Sequence, residues 1–598
     1  MKIHVLSYIL LIISATSNAY PLPKDASKAT CVDFPEAYNS AWSTNKISNF
    51  DDLEKELMQI CLPTKKITKD ISLPHEGKKD KSIKISWTSS RPAIISNEGK
   101  VTRPKHADAH VILTARLEKE GMEKTKDFRL CVKASGTPIY ERPRVIVTTD
   151  GEEDDMASMV RFLLTCNDFD VEAIINSSSQ FHWEGGKGWN ALKPVTWIKK
   201  YVNLYSEVYD NLTIHDPAYP SPEYILSRWK VGNIQGNSED RIRTEGAKFI
   251  ADILLDESDN RPIWIQAWGG CNTLARALRI IEEDKPEKMQ YVASKMRLFL
   301  IWEQDSSYTR YIRPVWEKLG AMTIISDQFD CMAYIWNKVL PEDIKPYFGK
   351  EWMKSNIIDN HGALCSAYIN RKGAFNAEGD TPSFLHCIPN GLRSIERPDF
   401  GGWGGRYVKV RNNVWMDNPP SPSLKHTDGL YGIDVSWSKM LENSKSDSCI
   451  NMRTEYFRPI WRWMKDVQND FAGRADWCTK DYASAYHHPI IIMKNKHVDI
   501  TVEKDSRIKL DASRSYDPDG NEITFRWWLY KEAGTYKGTE ELEYYGPKLP
   551  FKVPQDAKTG DTLHIICEVC DNGAACSSTA FKIQVSTSKN CTFSCGVL

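Results

Sequence analysis

The chain has 598 residues, 41% of them hydrophobic, with 20 Trp, 25 Tyr and 19 Phe available for burial. That length corresponds to roughly three to five domains of ~150 residues. A formal net charge of -1 gives no single-sign field to attract a nucleic-acid polymer or an anionic membrane surface, so neither is expected as a partner.

Residues 1–19 are expected to be a signal peptide. Lys2 gives a basic start, Val5 to Ile13 form an apolar run broken only by Ser7, and Ser17-Asn18-Ala19 supplies a small-residue cleavage site. The run is too short to span a bilayer, and no later stretch reaches ~18 apolar residues. The protein is therefore expected to be secreted and extracellular, where disulfides are permitted. Of the 15 cysteines, Cys567, Cys570, Cys576, Cys591 and Cys595 crowd the C-terminal end. With no His beside Cys567-x-x-Cys570, a disulfide cluster is expected there rather than zinc. Asn-x-Ser/Thr sequences occur at Asn176, Asn211 and Asn590. Asn211 and Asn590 are expected glycan acceptors, whereas Asn176 falls in a site discussed below.

Residues 31–136 read as a small β domain. Asp51 to Ile60 has apolar residues at helical spacing, and short runs follow at Ser82–Trp87, Ala93–Ile95, Val111–Thr114 and Phe128–Val132. Ile83, Ile85 and Trp87 share one face, and Asn97-Glu98-Gly99 marks a turn, which together predict a sandwich. The Trp87–Ser90 and Asn97–Val101 segments resemble reduced bacterial immunoglobulin-like modules. Ser135-Gly136-Thr137-Pro138 reads as a linker. From 140 to 485 strands alternate with helices, the mark of an α/β domain on a mostly parallel sheet with helices on both faces. Residues 487–586 return to strands. Asp517-Pro518-Asp519-Gly520 is a turn signal, and Ile523, Phe525, Trp527 and Leu529 alternate after it. This segment resembles an immunoglobulin-like module of the polycystic-kidney-disease type. Adjacent Trp527 and Trp528 must point to opposite faces, one into the core and the other able to meet polysaccharide. Residues 587–598 form a Cys-containing tail.

The richest chemistry lies where the first central strand meets its helix. Val145-Ile146-Val147 is a buried-type strand, and Met156, Met159, Val160, Leu163 and Leu164 lie on one face of a helix. Between them, acids occupy Asp150 and Glu152 through Asp155. Acids in a first helical turn ordinarily cap it and complement its dipole. Five in six positions also repel one another, which calls for a hard cation with oxygen ligands. Ca²⁺ tolerates the irregular geometry of a loop. Ligands bind at the C-terminal ends of such strands. The second strand ends at Asn176, with His182 in the loop beyond it. The third, Ile263–Trp268, ends in Gly269-Gly270. The fourth, Arg297–Trp302, ends in Glu303-Gln304-Asp305.

These residues carry a resemblance. Asp150-x-x-x-Asp154-Asp155, Asn176, Trp268-Gly269-Gly270 and Glu378-Gly379-Asp380-Thr381-Pro382 resemble, in order, the motifs of nucleoside hydrolases. The block Asn360–Leu364, Glu378–Leu385, Asn390-Gly391-Leu392 and Gly401–Arg406 is similar to the nucleoside-hydrolase-like family described as cellulose-binding proteins. The resemblance implies a nucleoside-hydrolase-like fold with flanking immunoglobulin-like domains. It implies a Ca²⁺ ion held by Asp150, Asp155, Asp380 and the Trp268 carbonyl. Asp154 would take a proton from water, and Asn176 would hydrogen-bond the sugar. His182, Gln304, Asp305, His361, Glu378 and Trp403 are further candidates to contact substrate. An ordinary structural role competes for each His, and Trp403 is either a sugar-stacking platform or a plug on a tight loop.

Three departures bear on activity. Thr148 stands where the hydrolases usually have Asp. Gly151-Glu152 replaces Pro-Gly. Gly379 stands where hydrolases that protonate a purine leaving group have His. Two functions follow: a secreted Ca²⁺-dependent hydrolase of N-glycosidic or glycosidic bonds, or a catalytically reduced carbohydrate-binding protein using the same pocket. The partner is a sugar-containing small molecule or a polysaccharide; substrate and oligomeric state are not legible.

Overall fold

The computed structural model describes residues 52–136, 138, 140–186, 195–417, 453–495, 497–571 and 576–586. The expected signal peptide at 1–19 and the tail 587–598, with Cys591, Cys595 and Asn590, lie outside the described residues.

The first unit packs helix α1 (Asp52–Gln59) on an antiparallel sheet of β1 (Lys84–Ser89), β2 (Ala109–Lys119) and β3 (Met122–Val132). Alternation buries Ile85 and Trp87 as expected. The second layer of a sandwich is reduced, because Ile94 and Ile95 are core residues on a turn joined to the rest by one bridge, Ile95 to Val101. Leu53, Leu57, Ile67 and Leu73 close the apolar face instead.

The central unit is built on an eight-stranded sheet. Its strands are β4 (Arg144–Thr149), β5 (Asp170–Asn176), β6 (Trp229–Val231), β7 (Ile263–Ala267), β8 (Met296–Ile301), β9 (Met322–Ser326), β12 (Tyr407–Arg411) and β13 (Val414–Asp417). A two-strand hairpin, β10 (Asn370–Arg371) with β11 (Ala374–Phe375), stands apart from it. Every residue of β4, β5 and β7 is buried, as a parallel strand covered on both faces requires. The order is β12-β13-β9-β8-β7-β4-β5-β6, parallel throughout except at the β12 edge. The chain builds outward from β4 through β5 and β6, then crosses back to place β7 on the other side of β4. The strand order therefore reverses between β4 and β7, and a crevice opens at their C-terminal ends. The helices that matter below are α2 (Glu153–Thr165), α3 (Tyr209–His215), α4 (Asn272–Asp284), α5 (Gly362–Ser366), α6 (Thr381–Leu385) and α7 (Met464–Trp477).

The last unit is a two-sheet β sandwich. One sheet is β14 (Asp499–Glu503), β20 (Ser577–Ser586), β19 (Thr562–Cys570), β16 (Thr524–Leu529) and β17 (Glu543–Tyr545); the other pairs β15 (Arg507–Asp511) with β18 (Lys548–Lys552). Trp527 fills its core. Trp528 is not offered to polysaccharide: it packs 5.9 Å from the ring of Trp463 and 5.1 Å from the Arg462 guanidinium, gluing the sandwich to the central unit. Asp517 Oδ1 accepts from the backbone N–H groups of Asp519 and Asn521, which makes the expected turn.

Cys570 and Cys576 form a disulfide, while Cys567 is a buried thiol. Residues three apart on a strand face opposite ways, so Cys567 turns into the sandwich core and away from Cys570. Cys365 on α5 and Cys478 just after α7 are both buried, with sulfurs 4.0 Å apart. Oxidised glutathione is expected to link them by thiol exchange; peptide mapping that finds both thiols still free after prolonged oxidation would refute this. Asn211 Nδ2, the atom a glycan would need, donates to the Cys478 carbonyl at 2.8 Å, so this structure disfavours the expected glycan there.

Candidate functional site

Strand β4 delivers Asp150 to the crevice. Gly151 follows with a φ of 78°, and a Cβ there would lie 2.8 Å from the Trp197 indole nitrogen, so the turn requires glycine. Helix α2 then begins, placing Asp154 and Asp155 in its first turn. The N-cap side chain, Glu152, makes no capping hydrogen bond, so helix capping does not account for the acidic run. From far along the chain, Asp380 arrives at the start of α6. One carboxylate oxygen each from Asp154, Asp155 and Asp380 lies within 4.8 Å of the others. Both Asp150 oxygens and Asp380 Oδ2 are buried without a hydrogen-bond partner.

The electrostatics are those of crowded acids. Burial, then the charge of Asp155, pushes Asp154 up to about 7. Asp150 is raised well above the carboxylate range by burial and by Asp155 and Glu152. Asp380 is raised by burial and by Asp155, Asp154 and Asp150. Asp155 is raised by burial, which outweighs the hydrogen bond that Thr149 donates to it. Four carboxyls that disfavour one another's ionisation, with unpartnered oxygens, fit a divalent cation: its charge reverses the repulsion and its coordination uses the orphan atoms. An all-oxygen donor set suits Ca²⁺ over soft transition metals.

The other expected residues divide into two groups. His182 lies with Nδ1 2.5 Å from the Asp150 carbonyl, propping the acidic loop. Asn176 ends β5 in register with Thr149, its Oδ1 accepting from Trp229 Nε1 at 2.7 Å. The Trp268 ring is buried and donates to Ser383 Oγ at 2.9 Å, while its carbonyl accepts from Gln304 Nε2 at 2.6 Å. Gln304 thus orients the carbonyl, which keeps a second lone pair. Asp305 packs on Gly270 and is raised to about 6, chiefly by burial. These five surround the carboxylates.

Glu378, His361 and Trp403 do not join them. Glu378 is fully buried, paired through both oxygens with Arg161 and accepting from Tyr368 and Thr381. With its oxygens so engaged it cannot contact substrate; it anchors the Asp380 loop to α2. His361 Nε2 meets Asp476 at 3.2 Å, near the end of α7. There α7 reaches past the C-terminal end of α2, where Arg474 holds the Leu164 carbonyl, and thirteen residues of α2 separate that end from the carboxylates by ~20 Å. Trp403 is a buried residue on a Gly402–Gly405 turn, where Gly404 packs against the Pro382 carbonyl and the His386 backbone. The sequence reading missed Tyr334, whose hydroxyl donates to Asp154 Oδ1 at 3.3 Å, and Thr149. It also missed why residue 379 is glycine: a Cβ there would lie 2.7 Å from Asp154 Oδ2. A His would push into that carboxylate.

Three family models match the chain. Residues 144–407 match the nucleoside hydrolase-like domain of cellulose-binding Sde182. The central domain is similar to this nucleoside hydrolase-like family. Residues 59–135 match the atrophied bacterial Ig domain, and 507–582 match the C-terminal domain of cellulose-binding protein Sde0182. Among solved structures, the chain resembles a nucleoside hydrolase-related hypothetical protein from Saccharophagus degradans that is associated with carbohydrate metabolism. They are 26% identical with a TM-score of 0.57, over 75% of this chain and 100% of that one. A plant nucleoside hydrolase, PpNRh1, aligns at 11% identity and a TM-score of 0.24, over 46% of this chain and 86% of its own. No curated protein matches by sequence.

Proposed function

We propose that the protein is a secreted, calcium-dependent hydrolase that recognises a sugar in the β4/β7 crevice and cleaves a glycosidic or N-glycosidic bond. The observation that carries this is the meeting of Asp154, Asp155 and Asp380 oxygens within 4.8 Å, beside the unpartnered Asp150. Asp150, Asp155, Asp380 and the Trp268 carbonyl would hold Ca²⁺. When bound, the ion supplies positive charge that acidifies a water and anchors sugar hydroxyls. Asp154, half-buried and held by Tyr334, accepts the proton of the attacking water. Gln304 and His182 keep the Trp268 carbonyl and the acidic loop in place. Negative charge around the sugar favours an oxocarbenium-like transition state.

A second reading, a carbohydrate-binding protein without turnover, draws on Gly379 and on the placement of His361: neither position puts a His at the cluster, and His182, which is there, is engaged with the Asp150 carbonyl. The cellulose-binding description of the related domains supports the same carbohydrate class. Calorimetry with the full chain is expected to show one Ca²⁺ bound, weakened more than ~10–100-fold by Asp155→Ala, since even outer-shell partners are worth that much. Equal affinities would remove Asp155 from the site. A panel of nucleosides, aryl ribosides and cello-oligosaccharides separates the readings: turnover supports the first, and calcium-dependent sugar binding without turnover supports the second.

A further inference from the structure

We propose that His215, His487 and Asp519 form a proton-counting clamp between the central unit and the last sandwich, complete at a single level of protonation and opened by acid. The turn at Asp517 builds one jaw. Asp517 Oδ1 accepts from the Asp519 and Asn521 amides, and the turn carries the Asp519 carboxylate to the boundary between the units. There Asp519 Oδ2 accepts from the His487 amide, and Asp519 Oδ1 meets His487 Nδ1, both at 2.7 Å. His487 Nε2 lies 2.9 Å from Nδ1 of His215, the last residue of α3. His215 Nε2 lies 2.9 Å from the Lys480 carbonyl. Three links thus run in series from a carbonyl of the central unit, through two imidazoles, to a carboxylate of the sandwich.

The number of protons in this series sets its charge. A carbonyl and a carboxylate only accept, so each end link takes its proton from a ring, as His215 Nε2–H and His487 Nδ1–H. Two neutral imidazoles hold only those two protons. Their inner nitrogens would then face each other as bare lone pairs across 2.9 Å. A third proton between them completes the series. It leaves one positive charge on the pair, beside the Asp519 carboxylate that balances it. A fourth proton breaks the series again, because N–H would point at N–H across the same gap. Both histidines are buried, so water does not replace a lost link and the wrong count is costly.

The surroundings oppose the fourth proton. Trp477 stacks on His215 with centroids 5.2 Å apart, and Tyr482 stacks on His487 at 3.9 Å. Burial holds His215 below its ordinary 6.5; the Lys480 carbonyl pulls the other way, the charge of His487 adds to the lowering, and Asp481 and Asp519 oppose it. Lys480 itself is paired with Asp476 at 2.8 Å. A base held low stabilises the closed arrangement above its unfolded value, and that contribution is lost as pH falls below it. The other titratable links at this boundary lack the property. His488 Nε2 meets Asp470 at 2.7 Å, a carboxylate that Arg474 also holds, and a protonated His488 still donates to it. His106 Nε2 meets the Tyr516 hydroxyl at 2.9 Å, beneath Lys105, and a hydroxyl can accept as well as donate. The opening is local, because Trp528 on Trp463 and Arg393 on Asp499 hold the sandwich elsewhere.

The experiment is hydrogen–deuterium exchange of the full chain at pH 7 and pH 5, each corrected for the intrinsic rate. The reporters are the His487 amide, bonded to Asp519, and the Ile490 and Tyr516 amides, each bonded to the other's carbonyl just beyond the clamp. In wild type they should exchange about tenfold faster at pH 5, the worth of one hydrogen bond to a charged group. His215→Asn puts in place of Nδ1 an oxygen that accepts from His487 and takes no proton, so the acid response should vanish. Asp519→Asn removes the counter-charge, so exchange should be faster than wild type at both pH values. The amides of β16 should stay protected in every sample, which shows that the sandwich remains folded. The proposal is overturned if wild type shows no acid response, if His215→Asn keeps it, or if Asp519→Asn exchanges like wild type.

Discussion

Asp154→Asn is expected to slow hydrolysis about 100- to 10,000-fold, the usual worth of a general base, while calcium still binds. Asn keeps the size of the side chain and an oxygen to accept from the Tyr334 hydroxyl, which lies 3.3 Å away. It removes the site that takes the proton. The carboxyl is poised to accept it. Burial and Asp155 raise the group to about 7 among the acids alone, and a cation beside it draws it back toward ionisation. Asp150→Asn and Asp155→Asn should instead lower calcium affinity and activity together. The measurement is paired: initial rates on whichever panel substrate wild type cleaves, and calcium affinity of each variant. Full activity in Asp154→Asn would rule out the proposed base, with half-exposed Tyr334 and exposed Glu153 the next groups to replace.

How much of this was legible beforehand follows from how local each signal is. Short apolar runs gave β4, β5, β7 and β8, and five acids in six positions marked the crevice, because each pattern is complete within a dozen residues. Asp380 was legible only through the family resemblance; no local pattern joins it to Asp154. Glu378 was misjudged because its partner is invisible in the pattern. Arg161 lies off the apolar face formed by Met156, Met159 and Leu163, and reads as a solvent-facing residue. In the fold α7 covers that side, so Arg161 is buried against Phe471 and needs a buried acid. Trp528 failed for the same reason: the outer face of an isolated strand is exposed, but here Trp463 and Arg462 cover it. Tyr334 sits on an aperiodic stretch after β9, where no spacing rule reports which side chain turns toward the site.

Asp170→Asn is expected to cost about 3–5 kcal/mol of stability at neutral pH, the usual loss when one partner of a buried ion pair is removed. Asp170 begins β5 and joins two units. Its Oδ1 receives Arg91 from the first unit at 2.6 Å and its Oδ2 receives Arg261 at 2.8 Å. Arg261 keeps Asp259 at 2.7 Å in the variant. Arg91 keeps only neutral carbonyls, those of Ala218, Phe169 and His110, so a buried guanidinium is left without a counter-charge. The pH dependence has a definite sign. Burial alone would raise the Asp170 carboxyl, but Arg91 and Arg261 outweigh it and hold the group below its ordinary 3.8. A depressed acid contributes stability that is complete above its unfolded value and is lost as pH falls through the folded one. The gap between wild type and Asp170→Asn should therefore be full at pH 7 and close as the solution is made more acidic than ordinary carboxylate titration. Urea unfolding at pH 7 and at strongly acidic pH measures both ends. A gap below ~1 kcal/mol at pH 7, or one that widens on acidification, would show that Asp170 does not hold the two units together through its charge.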